Sequence, residues 1–184
     1  MRIITGKYKG RRFDIPRTFK ARPTTDFAKE NIFNVLVQYV DFEGATALDL
    51  FSGTGSISLE LLSRGCRQVV SVELDRDHHR FIRECIAKLE NHQDRSTSNV
   101  QCIRGDVFRF LKSCRQQYDL IFADPPYALK ELASLPDIIM ERRLLKDGGI
   151  FVLEHGKDHD FSQHPHFREH RQYGSVNFTL FQDF

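Results

Sequence analysis

The chain has 184 residues, 40% of them hydrophobic and 28% charged, with a formal net charge of +2. That length fits one domain of the usual size, about 100–200 residues, and leaves no room for a second catalytic domain. The composition belongs to a globular protein able to bury a core, and no run approaches the roughly 18 apolar residues of a membrane span. The opening MRIITGKYKGRR carries charges where a signal peptide would be apolar, so the expectation is a cytoplasmic protein with no membrane partner.

The charge is unevenly spread. Residues 1–22 hold eight of the 27 Lys and Arg (Arg2, Lys7, Lys9, Arg11, Arg12, Arg17, Lys20, Arg22) against one acid, Asp14, so this stretch is +7 and the remainder −5. A basic arm ahead of a mildly acidic body is what phosphate contact requires, although a solvated terminal face would give the same count. Cys66, Cys85, Cys102 and Cys114 are too widely spaced for a zinc knuckle or a redox CxxC pair. They read as reduced, mostly buried thiols, and no metal site is expected.

In chain order, RIIT and RRFDI flank GKYKG and predict a small hairpin, making residues 1–24 a basic arm ahead of a core over 25–184. RPTTD then supplies a proline stop and a Thr or Asp cap. The helix after it, through FAKENIFNVLVQYV, would place Phe27, Ile32, Phe33, Leu36 and Val40 on one apolar face. From residue 45 the apolar runs ATALDL, VVSVE, VQCI, YDLIFAD and GIFVLE alternate with helix-like stretches 56–63, 76–90, 106–114 and 131–143. Such alternation predicts an α/β fold: a doubly wound, mostly parallel Rossmann-like sheet with helices on both faces. The polar stretch 93–99 (QDRSTSN) reads as a loop, the His-rich stretch after residue 155 as irregular, and VNFTLFQDF as a closing antiparallel strand.

The first strand runs into DLFSGTGSIS (49–58). Gly53 and Gly55 let backbone approach a ligand closely, and the helix behind them offers unpaired N–H groups. The candidate cofactor-binding residues of this loop are Asp49, Phe51, Ser52, Gly53, Thr54, Gly55 and Ser56. A dinucleotide site wants a third glycine or alanine where this chain has Ser58, and the Asp49 carboxylate would repel a pyrophosphate. It suits the ammonium of an amino acid instead.

Glu73, followed by Leu74, lies 20 residues after Gly53, the spacing of an acid that bonds ribose hydroxyls; Asp106, followed by Val107, is placed for an adenine amine. Any one of these acids could simply cap a helix. Three at successive strand ends point to a nucleoside site, and an amino acid joined to a nucleoside without phosphate is S-adenosylmethionine.

YDLIFADPPY (118–127) is the most specific signal. Prolines fix φ and donate no N–H, so the acceptors beside them point in set directions. An exocyclic amine on a base is a poor nucleophile until its hydrogens are drawn toward tetrahedral geometry. The Asp124 carboxylate and the Pro125 carbonyl could do that, with Pro126 stiffening the turn and Tyr127 stacking on the base, a contact worth about 1–3 kcal/mol.

With these residues in view, the chain resembles the RsmD family of small-subunit rRNA methyltransferases. The resemblance runs over nearly the whole chain, through MRIITGKYKGRRF, RPTTDFAKENIFN, LDLFSGTGSISLELLSRG, VELD, DLIFADPPY and the YG at 173–174. It implies a class I methyltransferase fold and methylation of guanine N2 at the equivalent of nucleotide 966 of 16S rRNA, in the small ribosomal subunit or its precursor. It also implies that Arg22, Pro23, Thr24 and Thr25 border the methionine end of the cofactor. RNA contacts are expected from Arg2, Lys7, Lys9, Arg11, Arg12 and Arg22, and the protein is expected to act as a monomer.

Three readings compete with it: an adenine-N6 methyltransferase on RNA or DNA, since DPPY serves that amine too; a non-catalytic RNA-binding module; and a nicotinamide dehydrogenase, disfavoured by Asp49 and Ser58. The spacing of His155, His159, His164, His166 and His170 matches no metal motif and reads as surface. Among the phenylalanines only Phe51 is set near a ligand, and Glu154 could lie near the site or serve as a cap or salt-bridge partner.

Overall fold

The computed structural model describes residues 1–90 and 99–183. Thr25 opens α1 (Asp26–Leu36), its Oγ accepting from the Ala28 N–H at 3.2 Å and so satisfying one donor the helix leaves unpaired. Ala28, Ile32, Phe33 and Leu36 recur at helical spacing and form the buried stripe. Phe27, expected on that stripe, is instead 63% exposed, because one residue before Ala28 is about 100° round the helix. The helix stops at Leu36, and Val40 is buried beyond its end.

Strands and helices then alternate: β1 (Thr46–Leu50), α2 (Ser56–Ser63), β2 (Gln68–Glu73), α3 (Arg76–Glu90), β3 (Asn99–Arg104), α4 (Val107–Ser113) and β4 (Tyr118–Ala123). The helix expected over 131–143 divides into a 3-10 turn, Lys130–Ser134, and α5 (Leu135–Glu141). Pro136 lacks an N–H and clashes with a helix running through it, so α5 starts afresh there. The expected polar loop at 93–99 lies outside the described residues except for Asn99, which opens β3.

The seven strands are ordered β3-β2-β1-β4-β5-β7-β6, where β5 is Leu145–His155, β6 is Phe167–Tyr173 and β7 is Val176–Phe181. The first five are parallel, and β7 runs antiparallel to both β5 and β6. The doubly wound fold and the antiparallel closing strand are as expected. Strand β6 is not: FREHRQY lies inside the stretch read as irregular. It is an edge strand paired only with β7, mostly exposed, and needs no continuous apolar run.

Side chains alternate across the sheet. Ala47, Leu120, Phe122, Val152 and Phe178 face α1 and α2, while Leu48, Leu50, Ile121, Phe151 and Leu153 face α4 and α5. A third cluster joins Ile3 and Phe13 to Leu59, Leu62, Ile82 and Cys85 of α2 and α3. The expected hairpin is reduced to one antiparallel bridge, Arg2 to Arg12, closed by Ile3 N–H to Arg11 O and Gly10 N–H to Ile3 O, each 2.9 Å.

This segment is fastened down rather than free. Buried Glu60 accepts from the backbone N–H of Ile4 (2.8 Å) and Thr5 (3.1 Å), lies 3.5 Å from Lys29 Nζ and pairs with Arg64 at 2.9 Å. Lys29, only 1% exposed, also donates to the Arg2 carbonyl at 2.6 Å. All four cysteines are free, and burial pushes the Cys66 and Cys85 thiols up to about 12.

Candidate active site

The strand order reverses between β1 and β4, and in open parallel sheets the crevice outside the strand ends at that point is where ligands sit. At the end of β1 the backbone turns through three left-handed residues, Phe51 (φ 57°), Gly53 (φ 57°) and Gly55 (φ 81°). For Phe51 this region is strained, as backbone at ligand sites often is. A Cβ on Gly55 would lie 2.8 Å from Ile82 Cγ1, so only glycine lets the loop rest on α3.

Asp49 is 1% exposed and accepts a 2.6 Å hydrogen bond from Ser58 Oγ. Burial, then the nearby Asp124 and Glu73 carboxylates, push it up to about 7 against the Ser58 bond. Ser58, marked in the sequence only as a missing glycine, is thus the partner that orients Asp49. Glu73 accepts from the Gly53 N–H at 2.9 Å and the Asp75 N–H at 3.2 Å, so it shapes the glycine loop from β2, and the next residue, Leu74, is 63% exposed.

Other expected site residues are engaged within the fold. Asp106 Oδ1 caps α4 through the Arg109 N–H at 2.9 Å, and Val107 packs in the core. Ser52 Oγ donates to the Asp49 carbonyl at 2.8 Å, Ser56 Oγ accepts from Lys29 Nζ at 3.0 Å, and Thr54 is buried. Phe51 rests edge-on against Phe108 at 6.3 Å.

Asp124 follows β4, its N–H donating to the Leu50 carbonyl at 3.3 Å. Ala123 is in register with Leu153, so one step further brings Asp124 beside Glu154 of β5. By alternation Asp49, Asp124 and Glu154 all emerge on the α1 side of the sheet, two residues beyond Ala47, Phe122 and Val152 respectively. Strand register sets the Asp124 and Glu154 carboxyl groups side by side, where each bears on the proton affinity of the other, and Thr24 favours the charged form of Glu154.

Glu154 is 5% exposed while Asp124 is half-buried. Both carboxyls are held above the usual range, chiefly by burial, and contact with Glu154 raises Asp124 further. Burial and the same two acids raise the Tyr127 phenol. Tyr127 is 47% exposed, and its ring lies 3.2 Å from where a Cβ on Gly156 would stand, a close approach that a larger residue there would press outward. The Pro126 carbonyl accepts from the Leu129 N–H at 2.9 Å, whereas that of Pro125 has no hydrogen-bond partner among the described residues.

The segment before α1 crosses these strand ends. Phe19 lies on His78 of α3 with ring centroids 4.3 Å apart, Ala21 faces Gly53, Thr24 neighbours Glu154 and Thr25 caps α1. Phe27 and Tyr173 meet edge-to-face at 6.2 Å just beyond. Of the expected RNA contacts, Lys7, Lys9, Arg12 and Arg22 are exposed. Arg2 pairs with Asp26 at 3.0 Å and Arg11 reaches the Lys88 carbonyl at 3.5 Å, while the Arg22 guanidinium donates to the Phe19 carbonyl at 3.1 Å.

His155 departs from the surface expected of it. It is 1% exposed, one nitrogen 2.8 Å from the Gly156 carbonyl and the other 2.7 Å from Thr179 Oγ1, and burial lowers its pKa. Ending β5 in the core, it serves the sheet, and no group of three or more metal-ligating side chains occurs among the described residues.

The architecture and the acids at its strand ends define the class I methyltransferase fold. It is shared with a solved Thermus thermophilus 16S rRNA N2 G1207 methyltransferase (RsmC) in complex with AdoMet and guanosine, 17% identical, TM-score 0.68, covering 90% of this chain and 45% of that one. A second solved Thermus thermophilus protein, described as hypothetical, is 27% identical with TM-score 0.84, covering 100% of this chain and 99% of the other. A ribosomal RNA small subunit methyltransferase D of Buchnera aphidicola subsp. Baizongia pistaciae is 30% identical over 154 residues, 84% of this chain and 75% of that one. A family model described as "Conserved hypothetical protein 95" matches residues 1–182, and the chain belongs to this family, the RsmD family.

Proposed function

We propose that the protein transfers a methyl group from S-adenosylmethionine to the exocyclic N2 amine of a guanine in small-subunit rRNA. The observation that carries this reading is the placement of Asp124 and the unpartnered Pro125 carbonyl at the strand end next to Asp49 and the glycine loop, on one crevice. The family supports it, and so does the name of the Buchnera relative.

The residues present fit a cationic amino-acid nucleoside. Asp49, Glu73, Asp124 and Glu154 line the crevice, and none of them pairs with a Lys or Arg among the described residues. Asp49 would hold the ammonium and Glu73 the ribose, with Leu74 and Phe51 against the adenine. The bound cofactor supplies an electrophilic methyl on a sulfonium.

The chain's own residues do the rest. Asp124 and the Pro125 carbonyl accept the two amine hydrogens and turn the nitrogen lone pair toward the methyl, while Tyr127 stacks on the base. Holding the partners in line can supply about 7–11 kcal/mol in favourable cases. Exposed Lys7, Lys9, Arg12 and Arg22 would take phosphates.

The test is incubation with methyl-labelled cofactor and small subunits from a strain lacking the gene, followed by nucleoside analysis. N2-methylguanosine at one site is expected. Label in N6-methyladenosine would transfer the reading to the adenine amine, and no incorporation into subunits or 16S rRNA would reject it.

A further inference from the structure

Glu154 is a buried carboxyl of the crevice that the amine chemistry leaves without a part. It lies near the end of β5, 5% exposed, and strand register with side-chain alternation sets it beside Asp124 on the same face of the sheet. Neighbouring buried carboxyls, neither paired with a Lys or Arg among the described residues, resist being charged together. Among the described residues, the groups that bear on the pair are acids or neutral: Asp49 from β1, Tyr127 from the turn, Thr24 from the crossing segment. None of them can neutralise it.

We propose that Glu154 is a positioning residue that shares one proton with Asp124, fixing that carboxyl with its outer oxygen toward the amine, and that the pair then takes up the proton the methylated amine must lose. The inference rests on the amine-methylation reading. Methylation leaves the nitrogen with one proton too many and a positive charge. The N–H bond breaks with its electron pair staying on nitrogen, the proton bonds to the outer oxygen of Asp124, and the shared proton settles on Glu154. The pair passes from singly to doubly protonated and the amine becomes neutral; one proton returns to solvent when the product leaves. A buried base is thereby supplied without histidine or lysine.

The test follows carboxyl carbon-13 resonances of Asp- and Glu-labelled protein over pH, assigned with Asp49→Asn, Asp124→Asn and Glu154→Gln. In the wild type Asp124 and Glu154 should titrate together in two separated steps, the upper one well above the ordinary carboxylate range. In Glu154→Gln, Asp124 should titrate in one step at least about tenfold weaker in proton affinity, one pKa unit. An Asp124 titration identical in both proteins would overturn the proposal.

Single-turnover rates give a second readout. Wild-type turnover should fall on the alkaline side as the shared proton leaves, and Glu154→Gln, whose amide keeps its hydrogen, should be flat there. Glu154→Leu, with no donor to hold Asp124, should lose about a hundredfold in turnover while binding cofactor normally. Superimposable pH profiles for wild type and Glu154→Gln would also overturn it. Should the wild type methylate no RNA while the two-step titration is present, the amine-methylation reading fails and the carboxyl pair stands.

Discussion

At the scale of single residues, the crevice divides into groups that bind and groups that react. In the proposed reaction Asp124 would touch the amine and not the cofactor, so Asp124→Ala should cut turnover by about a hundredfold or more with cofactor affinity little changed. Glu73 braces the Gly53 N–H and in the proposed reading would face the ribose, so Glu73→Ala should weaken cofactor binding first. Calorimetry beside single-turnover rates separates the two effects.

Asp49 makes a pH prediction. Only its ionised form attracts an ammonium, and its folded-state pKa is raised to about 7. Cofactor affinity should therefore rise about tenfold per pH unit as pH climbs toward about 7, then level off, with a proton released on binding in the acid range. The sign for stability is opposite: without ligand the folded state holds a proton that the unfolded state has lost, so this contribution is present at acid pH and disappears as pH rises through about 7. Calorimetry in buffers of different ionisation enthalpy would reveal the proton; an affinity independent of pH, in wild type and Asp49→Asn alike, would discount Asp49 as the ammonium site.

At the scale of elements, the N-terminal segment is held by one buried acid. Glu60, itself fully buried beside buried Lys29, joins two backbone N–H groups, Lys29 and Arg64. Removing one member of such a set strands the others, at a cost of about 3–5 kcal/mol. Glu60→Ala should lower the denaturation midpoint accordingly and loosen the segment that crosses the site. Glu60→Ala together with Lys29→Met should restore part of the loss, which equilibrium unfolding can measure. Nothing in SISLELLS sets Glu60 apart from a surface acid, since its partners come from distant parts of the chain as well as from the same helix.

At the scale of the whole molecule, an acidic crevice opens beside a basic segment, which the proposed function would use for a cation and a polyanion respectively. Reversing the exposed charges Lys9 and Arg12 should weaken RNA binding and flatten its salt dependence by about 0.9 log units per lost phosphate contact on duplex, or about 0.7 on single strands. Cofactor affinity should not change. Filter binding over a range of salt would show it, and an unchanged slope would mean that RNA reaches the crevice by another face.

Much of this was legible in the amino-acid order alone, because a parallel strand buried on both faces must be an apolar run, a left-handed turn wants glycine, and proline fixes its own dihedral. Those are local constraints, and they located the five parallel strands, four of them buried and β3 a partly exposed edge, together with the closing strand, the glycine loop and the Asp124 turn. Strand β6 escaped because an edge strand with a wet face can be FREHRQY. Phe27 left its expected stripe and His155 its expected surface because burial depends on which neighbour lies across the gap.

The pairing of Asp124 with Glu154, the orientation of Asp49 by Ser58 and the anchoring of the basic segment by Glu60 were decided only by the tertiary structure. Each joins residues whose meeting depends on strand register or helix packing. Chain order carries no record of such distances until the sheet has closed.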